Sequence, residues 1–162
     1  CLVIFYLEHM KEFQNTKKNI RTKLSEIKFI KKCKKFMIKQ LAAKDIKSYL
    51  MVEPDSVLLD VRTNEEWETI GTPEGEKIGL KTYFLSIQFG KERIFNENFV
   101  QEFKNLDINR DINILIICRS GKRSQFAAEL LNKKENYICV NISDGFEGNQ
   151  ENVGWKKCGL PC

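Results

Sequence analysis

The sequence predicts an α/β domain in which a central, mainly parallel sheet is flanked by helices. Three observations lead to this fold class. Apolar segments of strand length alternate with helical patterns along the chain from Met37 onward. The segment 112–117 is apolar and rich in β-branched residues, which is typical of a central parallel strand buried on both faces. No internal repeat or low-complexity linker interrupts the alternation.

The individual elements follow from hydrophobic periodicity and from capping and turn residues. We expect strands at residues 56–61, 83–89, 112–117 and 137–142. We expect helices at residues 41–50, 65–71, 96–106 and 124–132, and a short one around Trp155. Thr63 or Asn64 can provide the N-cap of the second helix, which should end by Gly71. Residues 75–81 are expected to form a loop.

Composition excludes several broad classes of protein. The chain has 162 residues, of which 42% are hydrophobic and 30% charged, as in ordinary globular domains. A chain of this length can bury a core without metals or disulfides, so wholesale disorder and a disulfide-stapled miniprotein are not expected. The longest strictly apolar run, at residues 1–7, is far shorter than the roughly 20 residues that cross a bilayer. We therefore expect no integral membrane segment.

The net charge of +5 is unevenly distributed along the chain. Residues 8–50 carry 13 Lys and Arg against 4 Asp and Glu, whereas residues 51–162 carry 14 against 18. The basic character belongs to the N-terminal third, so it does not predict nucleic-acid binding by the rest of the chain.

The domain boundary is expected at Met37. We interpret residues 1–36 as a basic N-terminal extension and residues 37–162 as one domain. Two interpretations of the extension remain open: a non-native segment translated ahead of a start at Met37, or a basic amphipathic helix. The only histidine, His9, falls in this extension and has no catalytic partner in the sequence.

The cysteine pattern does not predict a metal site. None of the six cysteines forms a Cys-x-x-Cys pair, and the zinc spacings are absent. The pattern favours reduced thiols and a cytoplasmic protein. Cys139 is interpreted as core filling, and Cys158 as packing beside Trp155 or else as a resolving thiol, while the role of Cys162 is left open.

The segment 114–131 carries the strongest chemical signal in the sequence. A hydrophobic strand ends directly before Cys118, a short polar turn follows, and a helix begins near Ser124. Ligands of open α/β sheets bind beyond the carboxyl ends of the strands, where backbone N–H groups and the positive end of the next helix converge. Three cations lie within the five residues after Cys118: Arg119, Lys122 and Arg123. This setting should favour the thiolate and predicts a nucleophilic rather than a structural cysteine.

Four separated motifs between residues 37 and 161 resemble those of single-domain rhodaneses, the sulfurtransferase family. CRSGKR (residues 118–123) resembles the six-residue active-site loop, and LLDVRTNEEW (58–67) the N-terminal signature, with Asp60 and Arg62 in their expected places. DGFEGN (144–149) and GWKKCGLP (154–161) resemble the closing signature. The resemblance implies a rhodanese-like three-layer fold with a central, mainly parallel sheet flanked by helices.

The resemblance also implies a mechanism and a set of site residues. Catalytic Cys118 would take a sulfane sulfur from thiosulfate or a related anionic donor, hold it as a persulfide, and pass it to a thiol or a protein acceptor. The expected substrate-binding residues are Arg119, Ser120, Gly121, Lys122 and Arg123. Asp60 and Arg62 would support the site, Arg62 as an ion-pair partner rather than a substrate ligand. No cofactor, metal or nucleic acid is implied.

The sequence leaves two other functions open. Cysteine phosphatases and arsenate reductases use a related loop, but in phosphatases the arginine is six positions after the cysteine, whereas Arg123 is five positions after Cys118. Phosphatases also usually carry histidine where this chain has Ile117. The second alternative is a non-enzymatic persulfide relay or binding module. One departure from the rhodanese pattern, at residues 71–89, leaves the shape of the neighbouring pocket wall undetermined.

Overall fold

The computed structural model describes residues 37–162 and has two sheets. The strands are β1 (Lys39–Leu41), β2 (Val57–Asp60), β3 (Lys81–Phe84), β4 (Gln88–Phe89), β5 (Ile94–Phe95), β6 (Asn113–Ile117) and β7 (Ile138–Ile142). The α-helices are α1 (Ile46–Leu50), α2 (Asn64–Ile70), α3 (Phe99–Lys104), α4 (Lys122–Glu135) and α5 (Gly154–Lys157). Two 3-10 helices lie at Ala43–Asp45 and Gly75–Ile78.

The main sheet is parallel throughout, with strand order β1-β7-β6-β2-β3. Strand β6 is in the middle, and its last four residues are buried. The predicted fold class and the predicted central strand are therefore confirmed. Because Asp60 of β2 pairs with Ile117 of β6, the two strands end side by side. The loops that follow them consequently leave the same edge of the sheet as neighbours.

Two hydrophobic cores cover the two faces of the sheet. Leu59 and Ile116 point into one core, together with side chains of α3 and α4, while Leu58 and Leu115 point into the other with side chains of α1 and α5. This division follows from the strand geometry, since successive side chains alternate between the faces. The result is the three-layer arrangement that the resemblance implies.

The sequence interpretation was wrong at three places. The segment 75–81, which was expected to be a loop, contains the 3-10 helix Gly75–Ile78, and Lys81 begins β3. Residues 39–41 form the edge strand β1 along β7, and the helix predicted at 41–50 begins only at Ile46. The strand predicted at 83–89 is divided, because β3 ends at Phe84 and the chain then forms the antiparallel hairpin β4–β5. A three-residue strand and a two-residue strand are too short to carry a recognisable alternation.

The remaining expected elements are present with shifted ends. The helix predicted at 124–132 begins two residues earlier and extends to Glu135, so Lys122 and Arg123 lie in its first turn. Thr63 caps α2 by a capping box with Glu66, and α2 ends at Ile70, with Gly71 as the expected C-cap. Within residues 37–162, no helix is long and apolar enough to cross a membrane. The interpretation of residues 1–36 falls outside the described part of the chain.

A buried ion pair closes the end of β2. Asp60 and Arg62 are both fully buried, and the guanidinium donates to both carboxylate oxygens at 2.7–3.0 Å. Arg62 also donates to the Gly71 carbonyl at 2.9 Å and stacks on the Phe146 ring at 4.0 Å. The pair thus ties β2 to the end of α2 and to the segment that precedes α5.

We expect Asp60→Asn to lower the free energy of unfolding by about 3–5 kcal/mol, because it leaves the Arg62 charge buried without its counter-ion. Urea denaturation measures the loss, and Asp55→Asn, at an exposed position, is the control with little expected effect. If Asp60→Asn does not fold, the double variant Asp60→Leu, Arg62→Met should restore folding. A loss below about 1 kcal/mol would contradict the assigned role of the pair.

Candidate active site

Cys118 lies directly after β6, on the floor of a small cavity. The cavity has a volume of about 370 Å³ and is lined by Cys118 with Arg93, Arg119, Ser120, Lys122 and Arg123. Cys118 itself is only 1% exposed, so a reactant must enter the cavity to meet the sulfur. A larger cleft of about 710 Å³ opens on the other side of the loop, but Cys118 does not line it.

Two groups donate hydrogen bonds to the sulfur. The Gly121 N–H lies 3.2 Å from Cys118 Sγ, and the Ser124 hydroxyl lies 3.3 Å from it. The Ser124 hydroxyl is also 2.6 Å from Asn141 Oδ1, so its single hydrogen has competing acceptors. Both donors can stabilise negative charge on sulfur. From the sequence, Ser124 was recognised only as the start of a helix, although its position directly after the predicted loop was a usable signal.

The loop 118–123 packs with its backbone against the segment 143–147. A Cβ on Gly121, whose φ is 93°, would lie 1.9 Å from the Ser143 carbonyl oxygen. A Cβ on Gly145, whose φ is 64°, would lie 2.5 Å from the Cys118 carbonyl oxygen. The Phe146 N–H donates to that same carbonyl at 2.8 Å. Only glycine permits both the backbone conformation and the close approach at these two positions.

The segment 143–147 is itself anchored by the 3-10 helix Ala43–Asp45 and by α5. Buried Asp144 accepts hydrogen bonds from the Ala43 N–H at 2.9 Å and from the Gly154 N–H at 3.2 Å. The Trp155 N–H in α5 donates to the Gly145 carbonyl at 2.9 Å, and the Trp155 indole is fully buried. The closing signature noted in the sequence therefore holds the loop 118–123 in place.

Arg123 is engaged by Glu66 of α2. Its guanidinium makes two hydrogen bonds to the carboxylate, at 2.6 and 2.7 Å, and both side chains are mostly buried. Burial alone would raise the pKa of Glu66, but hydrogen bonds from Arg123 and the Thr63 amide, with the nearby charges of Arg123 and Arg93, lower it to about 2. Burial opposes the charged form of Arg123 as well, yet its contact with Glu66 raises its pKa.

The other predicted cations differ in how they are paired. Arg119 Nε lies 2.5 Å from a carboxylate oxygen of Glu147, and this pair is partly exposed. Lys122 is exposed and makes none of the ion pairs found among residues 37–162. Of the three cations that the sequence placed around the cysteine, two are thus ion-paired and one is left for a ligand.

Two residues of this environment could not be linked to Cys118 from the sequence: Arg93, which lines the cavity, and Glu66, which pairs with Arg123. Arg93 comes from the turn of the β4–β5 hairpin, within residues 90–95, for which the sequence predicted no element. Glu66 was recognised only as a favourable acid in the first turn of α2. No sequence signal links either residue to Cys118, because both contacts depend on the arrangement of separate elements.

The other cysteines of the described chain lie elsewhere. Cys139 of β7 is buried, and burial raises the pKa of its thiol to about 12. Cys158 donates to the Trp155 carbonyl at 3.3 Å and packs against the core on the other face of the sheet from Cys118. Cys162 is exposed. The position of Cys158 fits packing and gives no support to a resolving thiol.

Asp60 and Arg62 are not part of the cavity around Cys118. Neither lines the cavity around Cys118, and each uses its charge on the other. Within residues 37–162, no cluster of three or more His, Cys, Asp or Glu side chains could hold a metal ion.

We expect Gly121→Ala to destabilise the protein by at least about 2 kcal/mol more than Gly79→Ala. Both positions have positive φ, so both variants carry the backbone strain of roughly 1 kcal/mol. Only at position 121 would the new Cβ collide with a backbone carbonyl, whereas nothing lies within 4 Å of it at position 79. Urea denaturation of the two variants measures the difference, and equal stabilities would show that the loop is not tightly packed.

We expect the Glu66–Arg123 pair to make the free energy of unfolding depend on pH in the acid range. The lowered pKa means that Glu66 stabilises the fold above its unfolded value near 4.5, and that this contribution disappears as the pH falls toward 2. Between pH 6 and pH 3, the free energy of unfolding measured by urea titration should therefore fall on the order of 2 kcal/mol more for the wild type than for Glu66→Gln.

The glutamine variant is a matched one, because glutamine at this position can still complete the capping box with Thr63. Glu65→Gln, at an exposed position of the same helix, serves as the control and should follow the wild-type pH dependence. Parallel pH profiles of wild type and Glu66→Gln would contradict the assigned pKa.

Comparison with known proteins gives concordant matches. The family model described as "Rhodanese-like domain" matches residues 42–152. The uncharacterized protein RP600 of Rickettsia prowazekii (strain Madrid E) is 37% identical over 127 residues, which cover 77% of this chain and 97% of that protein. The RP600 homolog of Rickettsia rickettsii is 41% identical over 114 residues, covering 69% of this chain and 86% of that protein.

Two solved structures share the fold. The crystal structure of Rv0390 from M. tuberculosis is 30% identical, with a TM-score of 0.65, and the match covers 76% of this chain and 95% of that one. The rhodanese-like domain protein from Staphylococcus aureus is 20% identical, with a TM-score of 0.53 and coverage of 76% and 96%. The order of the motifs, the parallel sheet and the family match together show that this chain belongs to the rhodanese-like domain family.

Proposed function

We propose that the protein is a sulfurtransferase that moves a sulfane sulfur from thiosulfate, or a related donor, to a thiophilic acceptor through a persulfide on Cys118. The observation that carries the proposal is the environment of the sulfur. Cys118 Sγ accepts a hydrogen bond from the Gly121 amide on the floor of a cavity lined by four cationic side chains. A buried structural cysteine would not need such a setting.

The first half-reaction loads the cysteine. The Cys118 thiolate attacks the outer sulfur of thiosulfate, a new S–S bond forms, and the donor's S–S bond breaks with its electron pair leaving on sulfite. The products are a persulfide anion on Cys118 and sulfite, so charge is conserved. The Gly121 N–H and the Ser124 hydroxyl stabilise negative charge on Sγ, and the cations attract the anionic donor.

The second half-reaction removes the terminal sulfur from Cys118. An acceptor such as cyanide, a low-molecular-weight thiolate or a protein thiolate attacks the terminal sulfur, and Cys118 departs as the thiolate that begins the next cycle. The same hydrogen bonds then stabilise the leaving group. Persulfides and thiolates survive in a reducing compartment, and a cytoplasmic location is part of the proposal.

The structure offers less support for a phosphatase. A phosphatase needs its loop arginine free to bind two phosphate oxygens. Here both arms of the Arg123 guanidinium are occupied by Glu66 at 2.6–2.7 Å. A bound phosphate would have to compete with a buried carboxylate for the same donors. The loop therefore fits a single extra sulfur better than a phosphate.

We expect wild-type protein treated with thiosulfate to gain the mass of one sulfur atom, as measured by intact mass spectrometry, and cyanide to remove it. Cys118→Ser should gain nothing, because the nucleophile is absent. Cys158→Ser and Cys162→Ser should load as the wild type does, and circular dichroism checks that each variant folds.

Three results would contradict or change the assignment. Folded wild type that gains no sulfur would refute loading by thiosulfate. Phosphate release from an aryl phosphate without sulfur gain would favour the phosphatase. A persulfide that forms but is not released to cyanide or thiols would instead indicate a relay module that needs a particular protein acceptor.

A further inference from the structure

We infer that Arg93, on the turn of the β4–β5 hairpin, binds the anionic end of the sulfur donor and determines the preference for dianionic donors. The inference rests on the proposed function and deepens it. It assigns donor recognition to a residue outside the loop 118–123, supported by Lys122, in place of the ion-paired Arg119 and Arg123.

The position of Arg93 is set by a well-defined turn. The hairpin pairs Gln88 with Phe95 and Phe89 with Ile94, and the Arg93 N–H donates to the Gly90 carbonyl at 3.2 Å. At the base of the hairpin, buried Asn96 donates from its side chain to the Ser86 carbonyl at 3.0 Å. The turn is therefore tied to the body of the domain, and the Arg93 side chain lines the cavity above Cys118.

The backbone of Arg93 is in an unfavourable conformation. Its φ is 53°, in the left-handed region that a residue with a Cβ rarely adopts and that costs roughly 1 kcal/mol or more. Such strain is concentrated at functional sites, where it holds a side chain in a required place. At Arg93 the conformation accompanies a guanidinium that lines the cavity of the reactive cysteine.

The ion pairs around the cavity leave Arg93 and Lys122 as the cations available to bind an anionic donor. Four cationic side chains line it. Glu66 neutralises Arg123, and Glu147 neutralises Arg119. Arg93 takes part in none of the ion pairs found among residues 37–162, and neither does Lys122. Two positive charges remain outside these ion pairs, against the single negative charge of the Cys118 thiolate, so the cavity keeps a net positive charge for an anionic donor.

The geometry of the reaction determines which end of the donor faces Cys118 and which end faces the rest of the cavity. The outer sulfur must face Cys118 Sγ on the cavity floor, so the sulfonate oxygens face the cavity walls and mouth. A guanidinium binds such oxygens with two parallel hydrogen bonds. Because the SO3 group takes the electron pair of the broken S–S bond, its formal charge rises from −1 to −2 as it leaves as sulfite. Arg93 should therefore bind this end of the donor in the ground state and at least as strongly in the transition state, so its loss should lower kcat/KM for thiosulfate.

The test compares Arg93→Gln with Lys91→Gln, an exposed charge on the same turn that does not line the cavity. Steady-state rates with cyanide as acceptor give KM and kcat for thiosulfate and for the monoanion methanethiosulfonate. We expect Arg93→Gln to lower kcat/KM for thiosulfate at least about tenfold, the effect of losing one charged hydrogen bond. The kcat/KM for the monoanion, whose sulfonyl end carries no charge before the reaction, should fall less.

Further readouts separate recognition from structure. Alkylation of Cys118 by neutral iodoacetamide, followed over a range of pH, separates an effect on the nucleophile from an effect on donor binding. At high pH, where the thiol is fully ionised in both proteins, Arg93→Gln should react at the wild-type rate. Added salt should raise KM less in the variant than in the wild type. Arg93→Lys should recover part of the affinity, and Lys91→Gln should resemble the wild type.

Two outcomes overturn the inference in different ways. If wild type takes up sulfur but Arg93→Gln keeps the wild-type kcat/KM for thiosulfate, Arg93 does not bind the donor, and the proposed function stands. If wild type takes up sulfur from neither donor, the proposed function fails and the inference falls with it.

Discussion

The contact between two stretches of backbone, the loop 118–123 and the segment 143–147, is the constraint on which the candidate site depends. Gly121 and Gly145 allow the stretches to approach closer than any Cβ would permit, and the Phe146 N–H fixes the carbonyl of Cys118. With that carbonyl fixed, the loop turns back so that the Gly121 N–H points at Sγ. The closing signature contributes to chemistry in this indirect way, through Asp144 and the hydrogen bonds of α5.

Two ion pairs near this contact have different structural roles. In the fully buried pair, the charges of Asp60 and Arg62 neutralise each other, and the pair stabilises the loop after β2. The pair of Glu66 and Arg123 links the first turns of α2 and α4, the helices that follow the neighbouring strands β2 and β6. Only the charges left over after such pairing are available to a ligand. Counting the cations of a loop in the sequence therefore overestimates the charge that a substrate meets.

The sequence was informative where a feature is local. The apolar strand β6, the polar loop after it and the helix α4 are adjacent in the chain, so the position of Cys118 at the sheet edge could be predicted. Glu66 and Arg93 could not be assigned to the site. Glu66 reaches Arg123 across 57 positions of sequence, through the register of β2 beside β6. Arg93 depends on a hairpin whose strands have two residues each.

A crystal structure of the thiosulfate-treated protein tests the central claim most directly. The account predicts one additional sulfur bonded to Cys118 Sγ at about 2.05 Å, inside the cavity and within hydrogen-bonding reach of loop amides. An unmodified Cys118 in a protein that has taken up sulfur on Cys139, Cys158 or Cys162 would contradict it. So would a Gly121 amide turned away from the sulfur of Cys118.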